Sequence, residues 1–158
     1  KGNKLHWSDF KGRPPRHTSS AAMTYVSFKY DYPVVRKDEL NVSLTCCFNK
    51  KESWVKKDSK TDYILNHEQL HFDIGELYIR KMRQEISQLS GLSQKQIFAA
   101  VDKIFELYRL QYIKYQALYD KETDHSRNED IQNEWNTEIA KELNLLELYS
   151  EPVLNLRY

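Results

Sequence analysis

A pentapeptide near the middle of the chain, His67-Glu68-Gln69-Leu70-His71, has the residue types and spacing of a zinc-hydrolase motif. Histidines four residues apart lie on one face of a helix, so both imidazoles can reach one Zn²⁺ at about 2.0–2.1 Å. Glu68 lies beside them and can take a proton from a water molecule whose pKa the metal lowers towards about 7. The motif therefore predicts His67 and His71 as metal ligands and Glu68 as a general base. The alternative is a hydrogen-bonded histidine pair in the core and a solvent-exposed glutamate.

A catalytic zinc also needs a third protein ligand and an open position for water. His125 is the best candidate, because it lies in the break between two later predicted helices and can be held against the first. Glu122 and Asp124 are the competing ligands, and a loop or capping role is the alternative for His125. Glu76 lies nine residues after the first histidine, on the opposite side of the helix, and we expect it to pair with Arg80 instead.

The elements that must position these residues begin with strands. Apolar and polar residues alternate with period two over residues 24–30 and 40–48, which predicts half-buried strands of a small, mostly antiparallel sheet. Pro33 lies between the two segments and predicts a loop there. We expect the 41–48 strand to offer an exposed edge to which an extended substrate could add.

From residue 61 the apolar period becomes helical. The first predicted helix runs for roughly 25 residues and carries both histidines of the motif. Ser93 and Gln96 form a capping-box pattern at the start of a second helix, and a third helix follows the break at 123–126 and is ended by Pro152. The predicted fold class is α+β, with a small sheet followed by three helices.

Composition places the chain among ordinary globular proteins. Its 158 residues predict one domain over 1–158, and 40% hydrophobic with 30% charged residues exclude disordered and collagen-like classes. No apolar run approaches the ~18 residues of a membrane span. The first 60 residues carry 13 Lys and Arg against 6 Asp and Glu, but these basic residues are scattered, so we expect no nucleic-acid partner.

The two cysteines do not indicate a compartment. Cys46 and Cys47 are adjacent and on one strand would point to opposite faces, which predicts neither a stabilising disulfide nor a thiolate metal site. No signal peptide is visible, and because an initiating methionine is missing we expect that an upstream segment was removed.

Several segments together resemble a bacterial family of proposed secreted zinc-dependent proteases, long catalogued as a domain of unknown function. They are Leu5-His6-Trp7-Ser8-Asp9-Phe10-Lys11-Gly12, Ala21-Ala22-x-Thr24, Ser53-Trp54-Val55, Leu65-x-His67-Glu68-Gln69-x-His71-Phe72-Asp73-Ile74-x-Glu76-Leu77 and Tyr119-Asp120-x-x-Thr123-x-His125. The resemblance covers nearly the whole chain, and its His-Glu-Gln-x-His-Phe-Asp block is specific. It implies a zincin-like peptidase exported in bacteria. Members usually carry glycine where Ser126 stands here.

The motif and the resemblance together assign His67, His71 and His125 as zinc ligands and Glu68 as the general base. Three other residues receive supporting roles. Tyr119 is a candidate for stabilising the developing oxyanion, although it also continues a tyrosine stripe that indicates core packing. Asp120 or Asp73 can orient a ligand imidazole through its second nitrogen, with a solvated helix acid as the alternative.

The predicted function is therefore a zinc-dependent metallopeptidase that acts on a peptide or protein substrate through a metal-activated water. The alternatives are a non-catalytic, metal-stabilised binding module and a zinc amidase that acts on cell-wall peptide. The resemblance implies a secreted or periplasmic location.

Overall fold

The computed structural model describes residues 4–36 and 39–156, and the two ends of the predicted 1–158 domain lie outside them. The elements in chain order are β1 (Ala22–Met23), β2 (Val26–Arg36), β3 (Glu39–Phe48), β4 (Trp54–Val55), α1 (Asp62–Ser87), α2 (Gln94–Glu122), α3 (Glu129–Leu145) and β5 (Val153–Leu156). Short 3₁₀ turns lie at Trp7–Asp9, Lys57–Ser59 and Glu147–Tyr149. The α+β class, with antiparallel sheets in the N-terminal part followed by three helices, is confirmed.

A three-stranded antiparallel sheet has the order β2-β3-β5, and β1 pairs separately with β4. The loop predicted at Pro33 was wrong, because β2 continues through this residue. Proline lacks an N–H and is tolerated only at sheet edges and irregularities. Both conditions hold here, since β2 is an edge strand and its register with β3 shifts between Asp31 and Val34.

The C-terminal segment also differs from the prediction. α3 ends at Leu145, well before Pro152, so the proline does not end this helix. The last described residues form β5, which pairs with β3 and buries Leu156. A four-residue strand has too short an alternation to be recognised in a sequence, and it forms because β3 supplies a partner edge.

Helix α1 packs against the strands of the sheet and against both other helices. Thr61 caps its N-terminus by accepting a hydrogen bond from the backbone N–H of Ile64. Gly75 allows a close approach to the sheet, since a Cβ at this position would lie 2.8 Å from Cys46 Sγ and 2.9 Å from Val26 Cγ1. The helix that carries the histidine motif is therefore packed tightly against β2 and β3.

Buried arginines connect α1 to the strands and to the C-terminal segment. Arg80 Nε lies 3.0 Å from Glu76 Oε1, which confirms the predicted i,i+4 pair. Arg83 donates to the carbonyl oxygen of Leu44 in β3 and to that of Tyr149. Because both guanidinium groups are buried and engaged by several acceptors, they hold α1 in a fixed orientation.

Helix α2 packs an aromatic face against α1 and α3. Its N-terminus has the predicted capping box, in which Ser93 N donates to Gln96 Oε1. The tyrosine stripe is buried or half-buried in the core beside Tyr78 and Trp135. None of the helices in the described residues has the length and apolar character needed to span a membrane.

Candidate metal centre

Three side chains from α1 and α2 converge at one point. Asp120, in the last turn of α2, places Oδ1 3.3 Å from His67 Nε2 and 3.2 Å from His71 Nε2. The two Nε2 atoms are themselves 3.2 Å apart. The side chain of His67 is buried, and those of His71 and Asp120 are partly buried. This His-His-Asp cluster can hold a metal ion.

The donor atoms fit zinc in both chemistry and spacing. Two imidazole nitrogens and a carboxylate oxygen are a common zinc ligand set, at about 2.0–2.2 Å from the metal. The edge of a tetrahedron with such radii is about 3.3 Å. The three observed separations match this edge, so His67, His71 and Asp120 occupy positions that three corners of a zinc coordination sphere require.

The other nitrogen of each imidazole is held by a glutamine. Nδ1 of His67 lies 2.8 Å from Gln132 Oε1 and 2.8 Å from the hydroxyl of Tyr119. Nδ1 of His71 contacts Gln116 Oε1. A metal-ligating histidine needs an acceptor of this kind, because the acceptor fixes the orientation of the ring and the position of its proton.

The orientation of both glutamine amides is set by their NH₂ groups. Gln116 Nε2 donates to the backbone oxygen of His71, and Gln132 Nε2 donates to Asn136 Oδ1. Their oxygens must therefore face the rings and accept from Nδ1–H. When a ring is neutral its proton then resides on Nδ1, which leaves the Nε2 lone pair available to a metal; when the ring is protonated, Nε2–H donates to Asp120 instead.

The charges of the cluster favour a cation. Burial lowers the pKa of His71, but the hydrogen bond to Asp120 and the charges of Glu68 and Asp120 outweigh it, so the pKa is raised. Burial raises the pKa of Asp120, but hydrogen bonds from His67 and His71 have the larger, opposite effect. The pKa of this carboxyl is therefore well below its usual range. The carboxylate is thus ionised at neutral pH, and positive charge between the three donors is stabilised.

Glu68 lies in the same cleft, next to the histidines. Glu68 is only 4% exposed, and its Oε2 atom has no hydrogen-bond partner among the described residues. An unpartnered buried carboxylate oxygen is costly unless water or another group binds it. The cleft has a volume of about 300 Å³ and is bordered by α1, α2 and residues 20–24. Thr24 attaches that border to α1 by donating to the backbone oxygen of Glu68.

His125 reaches the mouth of the cleft but is not one of the three clustered donors. Its side chain is 66% exposed, and Nδ1 lies 3.7 Å from Asp120 Oδ1. Asp124, His125 and Ser126 have φ of 47°, 52° and 69°, in the left-handed region that favours glycine. The backbone N–H of His125 donates to the carbonyl oxygen of Asp120, which ties this turn to the end of α2.

The other predicted residues lie outside the group of donor atoms. Tyr119 is fully buried, and its hydroxyl contacts Nδ1 of His67, on the side of the ring away from Asp120. Asp73 accepts a hydrogen bond from Gln69, and burial raises its pKa. Glu122 accepts from the indole N–H of Trp135.

Sequence reasoning gave Asp120 only the role of orienting a ligand, and it did not identify the two glutamines. The position of Gln116 one turn before Asp120 was a signal that could have indicated a shared face of α2. Gln132 lies on a different helix, so no local spacing indicates it.

The fold and this cluster define a small α+β protein with a candidate metal site built on two helices. The chain belongs to the family described as "Bacterial protein of unknown function (DUF922)", which matches residues 4–126. The match includes the three clustered side chains and Glu68 and ends at Ser126, before α3. No curated protein and no solved structure matches the chain significantly.

Proposed function

We propose that this protein is a zinc-dependent peptidase in which His67, His71 and Asp120 hold the metal and Glu68 is the general base. The observation that carries the proposal is the triangle of three donor atoms at zinc spacing, in one cleft with a buried carboxylate oxygen that has no partner among the described residues. His125 lies at the mouth of the cleft, where it can contact Asp120 or the substrate.

Zinc bound there would supply a water of lowered pKa and polarise the carbonyl of the scissile bond. Glu68 would accept the proton that this water loses when the water oxygen bonds to the carbonyl carbon, and would pass that proton to the amide nitrogen as the C–N bond breaks. Gln116 and Gln132 keep the Nδ1 protons in place, so that both rings present Nε2 throughout the cycle.

The strand to which we assign substrate binding is not the one that the sequence predicted. The 41–48 segment is the middle strand of its sheet: it pairs with β2 along its length, and residues 40–43 also pair with β5. Residues 41–43 of this segment, which pair on both sides, are therefore not a free edge. We assign the role to β1, which pairs with β4 on one side and whose neighbourhood, residues 20–24, borders the cleft. An extended peptide can add there through main-chain hydrogen bonds.

The test combines metal content with turnover. Glu68→Gln should retain stoichiometric zinc while peptide hydrolysis falls by about 10²–10⁴-fold, the usual contribution of a general base. Glu134→Gln, an exposed substitution of the same kind on α3, should leave both unchanged. Zinc binding without turnover of any peptide by the wild type would indicate the non-catalytic binding module. Turnover confined to cell-wall stem peptides would indicate the amidase.

A further inference from the structure

Two large apolar side chains lie exposed along the metal cleft, on two different elements that border it. Met23 on β1 is 39% exposed and Ile113 on α2 is 49% exposed, and both line the cleft with His71. Neither residue belongs to the hydrophobic clusters that form the core of the described residues. Their apolar surface is therefore free to be covered by something that enters the cleft, which is favourable by about 25 cal/mol per Å² of buried area.

The rest of the lining favours an uncharged occupant. Apart from the histidines, Asp120 and Glu68, the described residues that line the cleft have no charged side chain. Ile64 and Tyr112 extend the apolar wall. A lysine, arginine or carboxylate side chain placed between the walls would lose water without gaining a partner other than the metal site itself.

We infer that the cleft selects substrates with a large apolar side chain next to the bond that is cut, and that Met23 and Ile113 set this preference. The inference rests on the proposed peptidase function. The cleft volume of about 300 Å³ lies at the low end of ligand sites, which suits one side chain and its flanking backbone.

The chain offers a matched control for Ile113. Leu110 lies on the same helix and is 51% exposed, almost equal to the 49% of Ile113, but it does not line the cleft. Replacing either residue by serine removes a similar apolar surface from α2. Only the change at Ile113 should alter substrate selection. Because both positions are exposed, neither substitution removes core packing.

The experiment compares three hexapeptides that differ only in the residue next to the bond that is cut, which is leucine, serine or lysine. The first readout is kcat/KM for wild type, Met23→Ser, Ile113→Ser and Leu110→Ser, each with its zinc content measured. The second is calorimetric binding of the same peptides to zinc-loaded Glu68→Gln, which reports selection without requiring hydrolysis. The wild type should favour the leucine peptide over the serine peptide by about 10–200-fold, as apolar pockets do.

Ile113→Ser and Met23→Ser should each reduce this ratio by about 10-fold, mainly by lowering kcat/KM for the leucine peptide, while Leu110→Ser should keep it. Equal cleavage of all three peptides by the wild type would overturn the inference and leave the peptidase function standing. Selective binding of the leucine peptide by Glu68→Gln, with no cleavage of any peptide by the wild type, would overturn the peptidase function and retain the selectivity. A ratio unchanged by both cleft substitutions would remove Met23 and Ile113 from the selection, and absence of both binding and cleavage would overturn both proposals.

Discussion

Replacing Asp120 by asparagine should weaken zinc binding far more than replacing His125 by alanine. Asparagine keeps the size of the side chain but removes the charge and one acceptor oxygen, at the atom that lies 3.2 and 3.3 Å from the two imidazole nitrogens. Zinc sites with four ligands bind with apparent free energies of about 10–16 kcal/mol, so one ligand contributes roughly 2.5–4 kcal/mol. The expected loss for Asp120→Asn is therefore about 10²–10³-fold in affinity.

Chelator competition measures this affinity directly, and thermal unfolding with and without zinc provides a second readout. A loss of about 2.5–4 kcal/mol of zinc-linked stability should reduce the zinc-induced rise in Tm by roughly 5–16 °C for a chain of this length. His125→Ala should lower affinity by less than about 10-fold, since its exposed imidazole lies outside the donor triangle. Asp124→Asn, which changes an exposed carboxylate in the same turn, is the control.

Zinc binding by Asp120→Asn with an affinity within about threefold of the wild type would show that Asp120 is not a metal ligand. If His125→Ala lost the metal in the same experiment, the turn histidine would be the third ligand, and the exposed position in this structure would have to change when zinc binds.

Three further predictions follow from other parts of the structure. Gln116→Ala should reduce zinc affinity by about 10–100-fold, because it removes the acceptor of the His71 imidazole. Gln111→Ala, the same change at an exposed position of the same helix, should leave the affinity unchanged. Equal zinc affinities of the two variants would mean that the ring needs no acceptor. Ser126→Gly should raise the free energy of unfolding in denaturant titrations by about 1 kcal/mol, because φ of 69° is strained for serine; a decrease would contradict this. Burial raises the pKa of Tyr32 and Tyr108 to about 12, from about 10 in an unfolded chain. Their contribution to stability should be complete below pH ~10 and be lost towards pH ~12, and denaturant unfolding curves that stay constant across this window would count against it.

Much of the fold could be predicted because it depends on local rules. The i,i+4 spacing places two histidines on one helix face whatever surrounds the helix, and the same spacing predicts the pair of Glu76 and Arg80. The capping box at Ser93 and the alternation of β3 are likewise properties of neighbouring residues. For this reason the sequence was sufficient to predict the α+β class and the half of the metal site that lies on α1. The family of unknown function was recognised from its sequence segments.

The other half of the site was decided by packing. Asp120 meets the histidines only because the tyrosine face of α2 packs against α1, and Gln132 reaches His67 from a third helix. No spacing rule connects residues so far apart in the chain. The position of His125 depends on three consecutive left-handed residues, a conformation that serine and histidine do not predict. The sequence determined which donors were available, and the tertiary structure decided which of them share one point in space, because that choice depends on how helices pack across the core.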